Sequence, residues 1–245
     1  MELDWGNALA VDHDGNSYIA GVMGSTNSAF GGITLTNHGL DDMFVAKYDS
    51  AGNALWAANP GSAGYEGAFG IAVDQYRETY VLGNFSGAAC VFGNTTLTNF
   101  TSHEQLFVAK FDANGSPLWA QQAGGNDDTT AMGIALDPAG NSYVTGSFLT
   151  NDFFGNTLLT NSSGGSRIFV ARIDGPPVLK MSVTEGQLSF SWPTNQTGYT
   201  LESSAMSSGT TIWQSVANTA QVIGTDNIVI ENYFGIGKLY RLRKP

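Results

Sequence analysis

The sequence predicts an all-β protein: a partial β-propeller of three four-stranded blades, each about 62 residues long, followed by a small β-sandwich. Three observations carry this. A set of words recurs with a period of 62 or 63 residues, short β signals alternate with turn signals and no helix-length periodic segment occurs, and the pattern stops at a Pro-Pro step. A fixed period of this length means one supersecondary unit copied, so the fold is an array of similar modules.

The words are explicit. Phe44–Asp49 reads FVAKYD, Phe107–Asp112 reads FVAKFD and Phe169–Asp174 reads FVARID. Upstream come FGGITLTN (Phe30–Asn37), FGNTTLTN (Phe92–Asn99) and FGNTLLTN (Phe154–Asn161). Before those stand LAVDHDGNSYIAG from Leu9, IAVDQYRETYVLG from Ile71 and IALDPAGNSYVTG from Ile134. Asp12, Asp74 and Asp137 mark the step.

Within the third copy, Gly133–Asp137 is apolar, Pro138-Ala139-Gly140-Asn141 turns, and Ser142–Phe148 is a strand rich in β-branched and aromatic residues. A Gly/Asn/Thr loop containing FGNTLLT leads to a further strand at Phe169–Asp174. In the first two copies a second turn leads to Leu55-Trp56-Ala57 or Leu118-Trp119-Ala120; the third copy has no such strand. In FVAKYD, Phe44 and Ala46 point to one face and Val45 to the other, so the strand is apolar on both sides. A sheet packed between neighbouring sheets needs that pattern, and four-stranded sheets stacked face to face around an axis make a propeller. Phe44–Ala46, Phe107–Ala109 and Phe169–Ala171 are therefore expected to be buried, with Trp56 and Trp119 between blades.

These words closely resemble the SBBP family, a β-propeller repeat of bacterial secreted and cell-surface proteins, over roughly Leu9 to Asp174. The resemblance implies a propeller blade and an extracellular or cell-surface setting. The expected boundaries are 1–175 for the repeats (blades about 6–66, 67–129 and 130–175) and 176–245 for the second domain. Pro176-Pro177 cannot donate ladder hydrogen bonds and serves as a linker. Beyond it, Leu188–Trp192, Tyr199–Ser203, Trp213–Val216, Asn227–Glu231 and Lys238–Leu242 read as strands. The string LSFSWP…GYTLESS…W…YRLRKP is similar to fibronectin-type-III-like modules.

Composition narrows the partners. Charged residues are only 13%, with Gly, Asn, Ser and Thr making up the difference, as in extracellular β proteins. Of the net charge of −11, residues 1–175 carry −12 (17 acidic, 5 basic) and residues 176–245 carry +1 (4 acidic, 5 basic). An acidic body repels phosphate backbones and anionic lipid, so nucleic acid and membrane surfaces are poor partners. The basic tail cluster Lys238, Arg241, Arg243 and Lys244 reads as strand plus terminus. No apolar run reaches membrane-spanning length. Met1-Glu-Leu-Asp-Trp has neither a basic n-region nor an apolar h-region, so no signal peptide is read in this sequence, and because it opens directly at a repeat, further sequence upstream is expected.

Candidate chemistry is sparse. Asp12-His13-Asp14-Gly15-Asn16 has the start of a calcium loop, but Asp74–Glu78 and Asp137–Asn141 lack the second carboxylate. A hairpin turn, with Asp opening it and Gly-Asn supplying positive φ, is the expectation, and neither metal nor cofactor is expected. His13, His38 and His103 fall at non-equivalent positions, with His103 aligned to Asp41. Cys90, the single cysteine, reads as a buried inert thiol. Sequons at Asn84, Asn94 and Asn99 arise from composition. The acidic pairs Asp41-Asp42 and His103-Glu104 occupy the same loop before the FVAK strand, and equivalent loops of successive blades project on one face. Asp41, Asp42, His103 and Glu104 are the candidate ligand-binding residues, suited to a cation or sugar; no catalytic set is expected. The function read from this is a non-catalytic binding or scaffold module, taking a glycan or protein at the propeller face. The alternative is a carbohydrate-active hydrolase or lyase. Three blades leave two open faces, so the chain is expected to be part of a longer propeller, or else to pair two copies into six blades.

Overall fold

The computed structural model describes residues 3–138, 140–155, 157–162, 164–177, 179–184, 186–194, 198–205, 212–232 and 237–243. Among the residues invoked above, Met1, Glu2, Ala139 of the third turn, Asn156 and Lys244 of the basic tail lie outside them. Contacts divide the chain into two compact units, Met1–Gly175 and Pro176–Pro245.

In the first unit each repeat is an antiparallel meander with a small hairpin inserted. The first repeat has β1 (Asp4–Val11), β2 (Ser17–Met23), the hairpin β3 (Asn27–Phe30) and β4 (Ile33–Thr36), then β5 (Asp42–Tyr48) and β6 (Ala54–Ala58). The second has β7 (Glu66–Val73), β8 (Thr79–Phe85), the hairpin β9 (Ala89–Phe92) and β10 (Thr95–Thr98), then β11 (Gln105–Phe111) and β12 (Pro117–Gly125). The third has β13 (Thr129–Leu136), β14 (Ser142–Phe148), β15 (Asp152–Phe154), β16 (Thr157–Leu159) and β17 (Arg167–Ile173). The sheet orders are β1-β2-β5-β6, β7-β8-β11-β12 and β13-β14-β17, and β12 runs on to pair with β15. The FGN words form true hairpins, not loops.

The turns follow from Asp and Gly. Asp12 Oδ1 accepts from the backbone N–H of Asp14 and Asn16, both at 3.0 Å, while Gly15 sits at φ 79°. Asp49, Asp74 and Asp112 each make the same pair of bonds. In the second repeat Arg77 replaces the glycine and takes φ 64°, a strained position for a side chain. Its guanidinium pairs with Asp14 of the preceding repeat.

A second rule joins two of the repeated words. The glycine fifth in each β2-type strand lies directly opposite the phenylalanine opening FVAK: Gly21 with Phe44, Gly83 with Phe107, Gly146 with Phe169. The ring fills the space over the glycine. The first strand of each repeat bulges next to it, at Gly6/Ala8, Ala68/Gly70 and Ala131/Gly133.

The cores form between repeats. Met43 and Val45 of the first repeat pack with Ala68, Ile71, Phe92 and Phe107 of the second. Leu82, Leu106 and Val108 of the second pack with Val144, Ile134 and Phe154 of the third. Each inserted hairpin covers the face its own repeat turns to the preceding one. Trp56 packs into the first interface and donates to Ala113 O at 3.0 Å; Trp119 stands over Gly175 and edge-on to Tyr80. Asn84 is buried and bridges repeats two and three, accepting from Ala131 N at 2.9 Å and donating to Thr129 O, so its sequon is closed to modification.

One expectation fails at the end of the array. Phe44–Ala46 and Phe107–Ala109 are buried, and so is Phe169, but Val170 is exposed and Ala171 half-buried. No fourth repeat follows the third in this sequence to cover that face. Its meander also stops at three strands among the described residues, leaving one edge of β17 unpaired.

The second unit has β18 (Lys180–Thr184), β19 (Gln187–Pro193), β20 (Thr200–Ala205), β21 (Gln214–Ser215), β22 (Gln221–Ile223), β23 (Asp226–Asn232) and β24 (Lys238–Arg243). They form two antiparallel sheets, β18-β19-β23-β22 and β21-β20-β24. Leu188, Phe190, Trp192 and Val229 of one sheet pack with Leu201, Tyr240 and Leu242 of the other. Phe190 and Tyr240 lie 4.2 Å apart between ring centroids, and Tyr240 Oη donates to Glu231 at 2.6 Å. β18 and β22 carried no clear sequence signal: both are short, and every residue in them is exposed.

Candidate functional site

The carboxylates of the Asp turns are consumed by the fold. Asp12 also accepts from Asn16 Nδ2 at 2.8 Å and from the Tyr18 hydroxyl at 3.1 Å. Burial opposes its ionisation, but the bonds from Asn16, Tyr18 and Asp14 outweigh burial and hold its pKa down at about 2. Arg77 lies against the same turn. These oxygens are therefore committed to turn and interface.

The four candidate ligand residues lie at the end of the strands where one repeat hands over to the next. Asp41 O accepts from Glu66 N at 2.8 Å, and Glu104 O accepts from Thr129 N at 3.1 Å. The structural counterpart of Asp41 is thus Glu104, one residue beyond the alignment to His103. Tyr65 links the two loops: it bridges to Asp41, and burial together with the charges of Glu104 and Asp41 raises its phenol pKa. His103 lies beside the next turn, its Nδ1 3.7 Å from Asp127 and 3.4 Å from Asp128. Those three residues bring ligand atoms within 4.8 Å of one another, the one such His/carboxylate group among the described residues. Asp128 Oδ1 is also taken by Glu104 N at 2.9 Å. The loop is knitted by Asn99, which accepts from Thr101 N and donates to His103 O, both at 2.9 Å. At its tip Phe100 is 93% exposed.

Asp42 points the other way. It is fully buried, and its Oδ2 accepts from His38 N at 3.0 Å, His38 Nδ1 at 2.9 Å and Asn59 Nδ2 at 2.9 Å. It lies near Glu66, which accepts from Ser62 Oγ at 2.7 Å. Burial, then the charges of Glu66 and Asp42, push the Cys90 thiol up, which leaves it unreactive.

One feature of this corner escaped the sequence reading. Asp4, Glu66 and Thr129 occupy one repeat position, and Ser28, Cys90 and Asp152 another. In the first repeat Ser28 Oγ donates to Asp4 at 2.6 Å; in the third Thr129 Oγ1 donates to Asp152 at 2.5 Å. A carboxylate is kept at each corner, but it changes strand in the third repeat. An exchange of acid and hydroxyl between two strands is invisible when either column is read alone.

These acids set the pH response. Glu66, Glu104 and Asp152 are each raised, first by burial; Ser62 opposes the rise at Glu66, Asp128 adds to it at Glu104, and Thr129 opposes it at Asp152. A carboxyl raised above its unfolded value binds its proton more tightly when folded. Stability therefore grows as pH falls through the folded pKa, down to the unfolded value near 4.5 for Glu or 3.8 for Asp. Asp4 and Asp12 are lowered, and their contribution is lost as pH falls from 3.8 toward about 2. The melting temperature is expected to rise as pH falls from neutral toward about 4.5 and to fall as pH drops below about 3.8. Thermal melts across that range check it; a monotonic decline from neutrality would contradict the buried-acid assignment.

Comparison with known proteins agrees with the repeat geometry. Residues 118–154 match the SBBP family, described as a beta-propeller repeat. The chain is 30% identical over 155 residues to an uncharacterized WD repeat-containing protein of Acanthamoeba polyphaga mimivirus, covering 57% of this chain and 11% of that protein. It is 28% identical over 139 residues to the regulatory protein FlaEY of Caulobacter vibrioides, covering 54% of this chain and 14% of that protein. The chain thus spans a small part of the relatives' length. A Bacteroides caccae protein of unknown function aligns in structure at 12% identity, covering 76% of this chain and 70% of that one, with a TM-score of 0.26, too low to inform the fold. Residues 118–154 are thus similar to a beta-propeller repeat.

Proposed function

We propose that the first unit is a non-catalytic binding scaffold whose ligand face is the rim carrying Asp41, Tyr65, Phe100, His103 and Glu104. The observation that carries this is the bridge between Tyr65 and Asp41, at the corner where burial and then the charges of Glu104 and Asp41 raise the Tyr65 phenol pKa. Two loops at equivalent repeat positions thereby present acceptors around one aromatic ring. The ligand chemistry that fits is a glycan: carboxylates accept hydroxyls, and the exposed face of Phe100 offers a stacking platform. The net charge of −12 over residues 1–175 disfavours anionic ligands.

An extracellular or cell-surface setting suits the low charge content and the Gly/Asn/Thr-rich surface. The second unit, with sheets of four and three strands, suits a fibronectin-type-III-like module in the same setting.

A glycan array probed with the purified chain tests the reading. Saturable binding is expected, weakened about tenfold by Phe100→Ala, a loss of roughly 1–1.5 kcal/mol of stacking. Glu104→Gln is expected to weaken it as well. Absence of any bound glycan, or binding unchanged in both variants, would refute the rim. Release of shortened sugars would instead favour a hydrolase or lyase.

A further inference from the structure

β11 and β12 run antiparallel, and the pairing of Leu106 with Ala123 brings the chain before β11 beside the chain after β12. His103 stands in the first stretch, Asp127 and Asp128 in the second. The His103 Nδ1 lies 3.7 Å from Asp127 Oδ1 and 3.4 Å from Asp128 Oδ1. Around a four-coordinate zinc ion with bonds of about 2.0–2.1 Å, ligand atoms stand about 3.3 Å apart. The two carboxylates also lie within 4.8 Å of each other, so the three groups are spaced close to three corners of such a tetrahedron. All three side chains are partly exposed, and an ion reaches them from solvent.

A separate observation points to the same corner. Asp152 is 0% exposed, and its Oδ1 has no hydrogen-bond partner. Its Oδ2 accepts from the Thr129 hydroxyl at 2.5 Å, and a Cβ at Gly125 would meet its Oδ1 at 2.6 Å. The carboxylate is therefore held between the two ends of the loop 125–129, facing the segment that carries Asp127 and Asp128. The charge of Asp127 acts on it. A buried carboxylate oxygen without a donor is costly. The matching carboxylates of the other repeats are satisfied on both oxygens. Asp4 accepts from Gly24 N, Ser25 N and the Ser28 hydroxyl, and Glu66 accepts from the N–H and hydroxyl of Ser62. Only at the third corner, among the described residues, does an unpartnered buried oxygen stand beside a His/Asp/Asp group.

We propose that His103, Asp127 and Asp128 bind one divalent ion of the zinc class, with Asp152 behind the loop. The donor set decides the class. One imidazole with two carboxylates suits zinc, whereas calcium takes about six to eight oxygens. Asp128 Oδ1 already accepts from Glu104 N at 2.9 Å, and Asp127 Oδ1 from Asp128 N at 3.0 Å. Those bonds orient both carboxylates before an ion arrives. Three protein ligands leave a fourth position open to water or to another oxygen donor. The site stands apart from the glycan reading of the rim, since the ion binds or fails to bind with no sugar present.

Calorimetric titration of zinc chloride into the whole chain, free of any tag and stripped with chelator, tests this. One ion per chain is expected, with an affinity in the micromolar range. His103→Gln and Asp127→Asn alter partly exposed side chains and should fold, which circular dichroism checks. Each should weaken zinc at least about tenfold, a loss of roughly 1.4 kcal/mol. His13→Gln, outside the group, should leave binding unchanged. Calcium chloride at the same concentrations should bind far more weakly. No saturable heat up to about millimolar zinc overturns the proposal, since a working site must sit well below that. Zinc binding that survives both His103→Gln and Asp127→Asn, or is lost in His13→Gln, overturns it too. So does calcium bound as tightly as zinc, which would leave the imidazole without a part.

Discussion

Replacing Phe107 by alanine is expected to lower the stability of the repeat unit by about 3–5 kcal/mol. Phe107 is 0% exposed in the middle repeat. Its ring lies 5.1 Å from that of Phe92 in the inserted hairpin and 6.5 Å from that of Phe85 on the neighbouring strand. It also covers Gly83, which has no side chain to move into the space. Truncation leaves a cavity walled by sheet and hairpin, neither free to collapse, because both are held by ladders. Denaturant melts measure the loss. The same FVA word gives an internal control: Val170→Ala, on the open face of the third repeat, should cost less than about 1 kcal/mol. Equal losses at the two sites would contradict the assignment of buried and open faces.

The second large effect belongs to the glycine beneath that ring. Gly83→Ala places a methyl group at overlapping distance from both the Gly67 carbonyl oxygen and Phe107 Cζ. The carbonyl is backbone in a bulged strand and the ring is locked by its neighbours, so neither yields cheaply. A cost of about 1–3 kcal/mol or more is expected. Gly21 and Gly146 face the same pair of obstacles, Trp5 O with Phe44 and Thr130 O with Phe169. Gly146→Ala should be the mildest of the three where the third sheet can relax at its open edge. Thermal melts of the three single variants rank them; an unaffected Gly83→Ala would show that the ring stands elsewhere.

Much of the strand pattern was legible because it is local. Asp-x-x-Gly-Asn opens a hairpin through bonds within five residues, and an apolar word such as FVAK reads as a strand suited to burial on both sides. What joins the words was less legible. The Gly–Phe pairing needs the register of two strands, and the insertion between them hides it from a simple offset. The same insertion shifted the alignment of Asp41 from Glu104 to His103. The exchange of acid between Asp4 or Glu66 and Asp152 needs contact across strands. Val170 repeats a buried word and is exposed, since its environment is set by the neighbour, not by its own sequence. Among the candidate ligand residues, Asp41 and Glu104 share the surroundings of Tyr65, while Asp42 turns inward to His38 and Asn59. Adjacent positions on a strand face opposite ways, so the pair could not both reach one rim.

The central claim is that three copies of one sheet stack, with the middle copy covered on both sides. Residue-by-residue amide hydrogen exchange tests it most directly. β11 is bonded on both edges, to β8 and β12, and lies between packed faces, whereas β17 is bonded only to β14 among the described strands. The account predicts the slowest exchange in β8 and β11, and fast exchange at alternate amides of β17, although β11 and β17 carry nearly the same word. Equal protection along β5, β11 and β17 would contradict it.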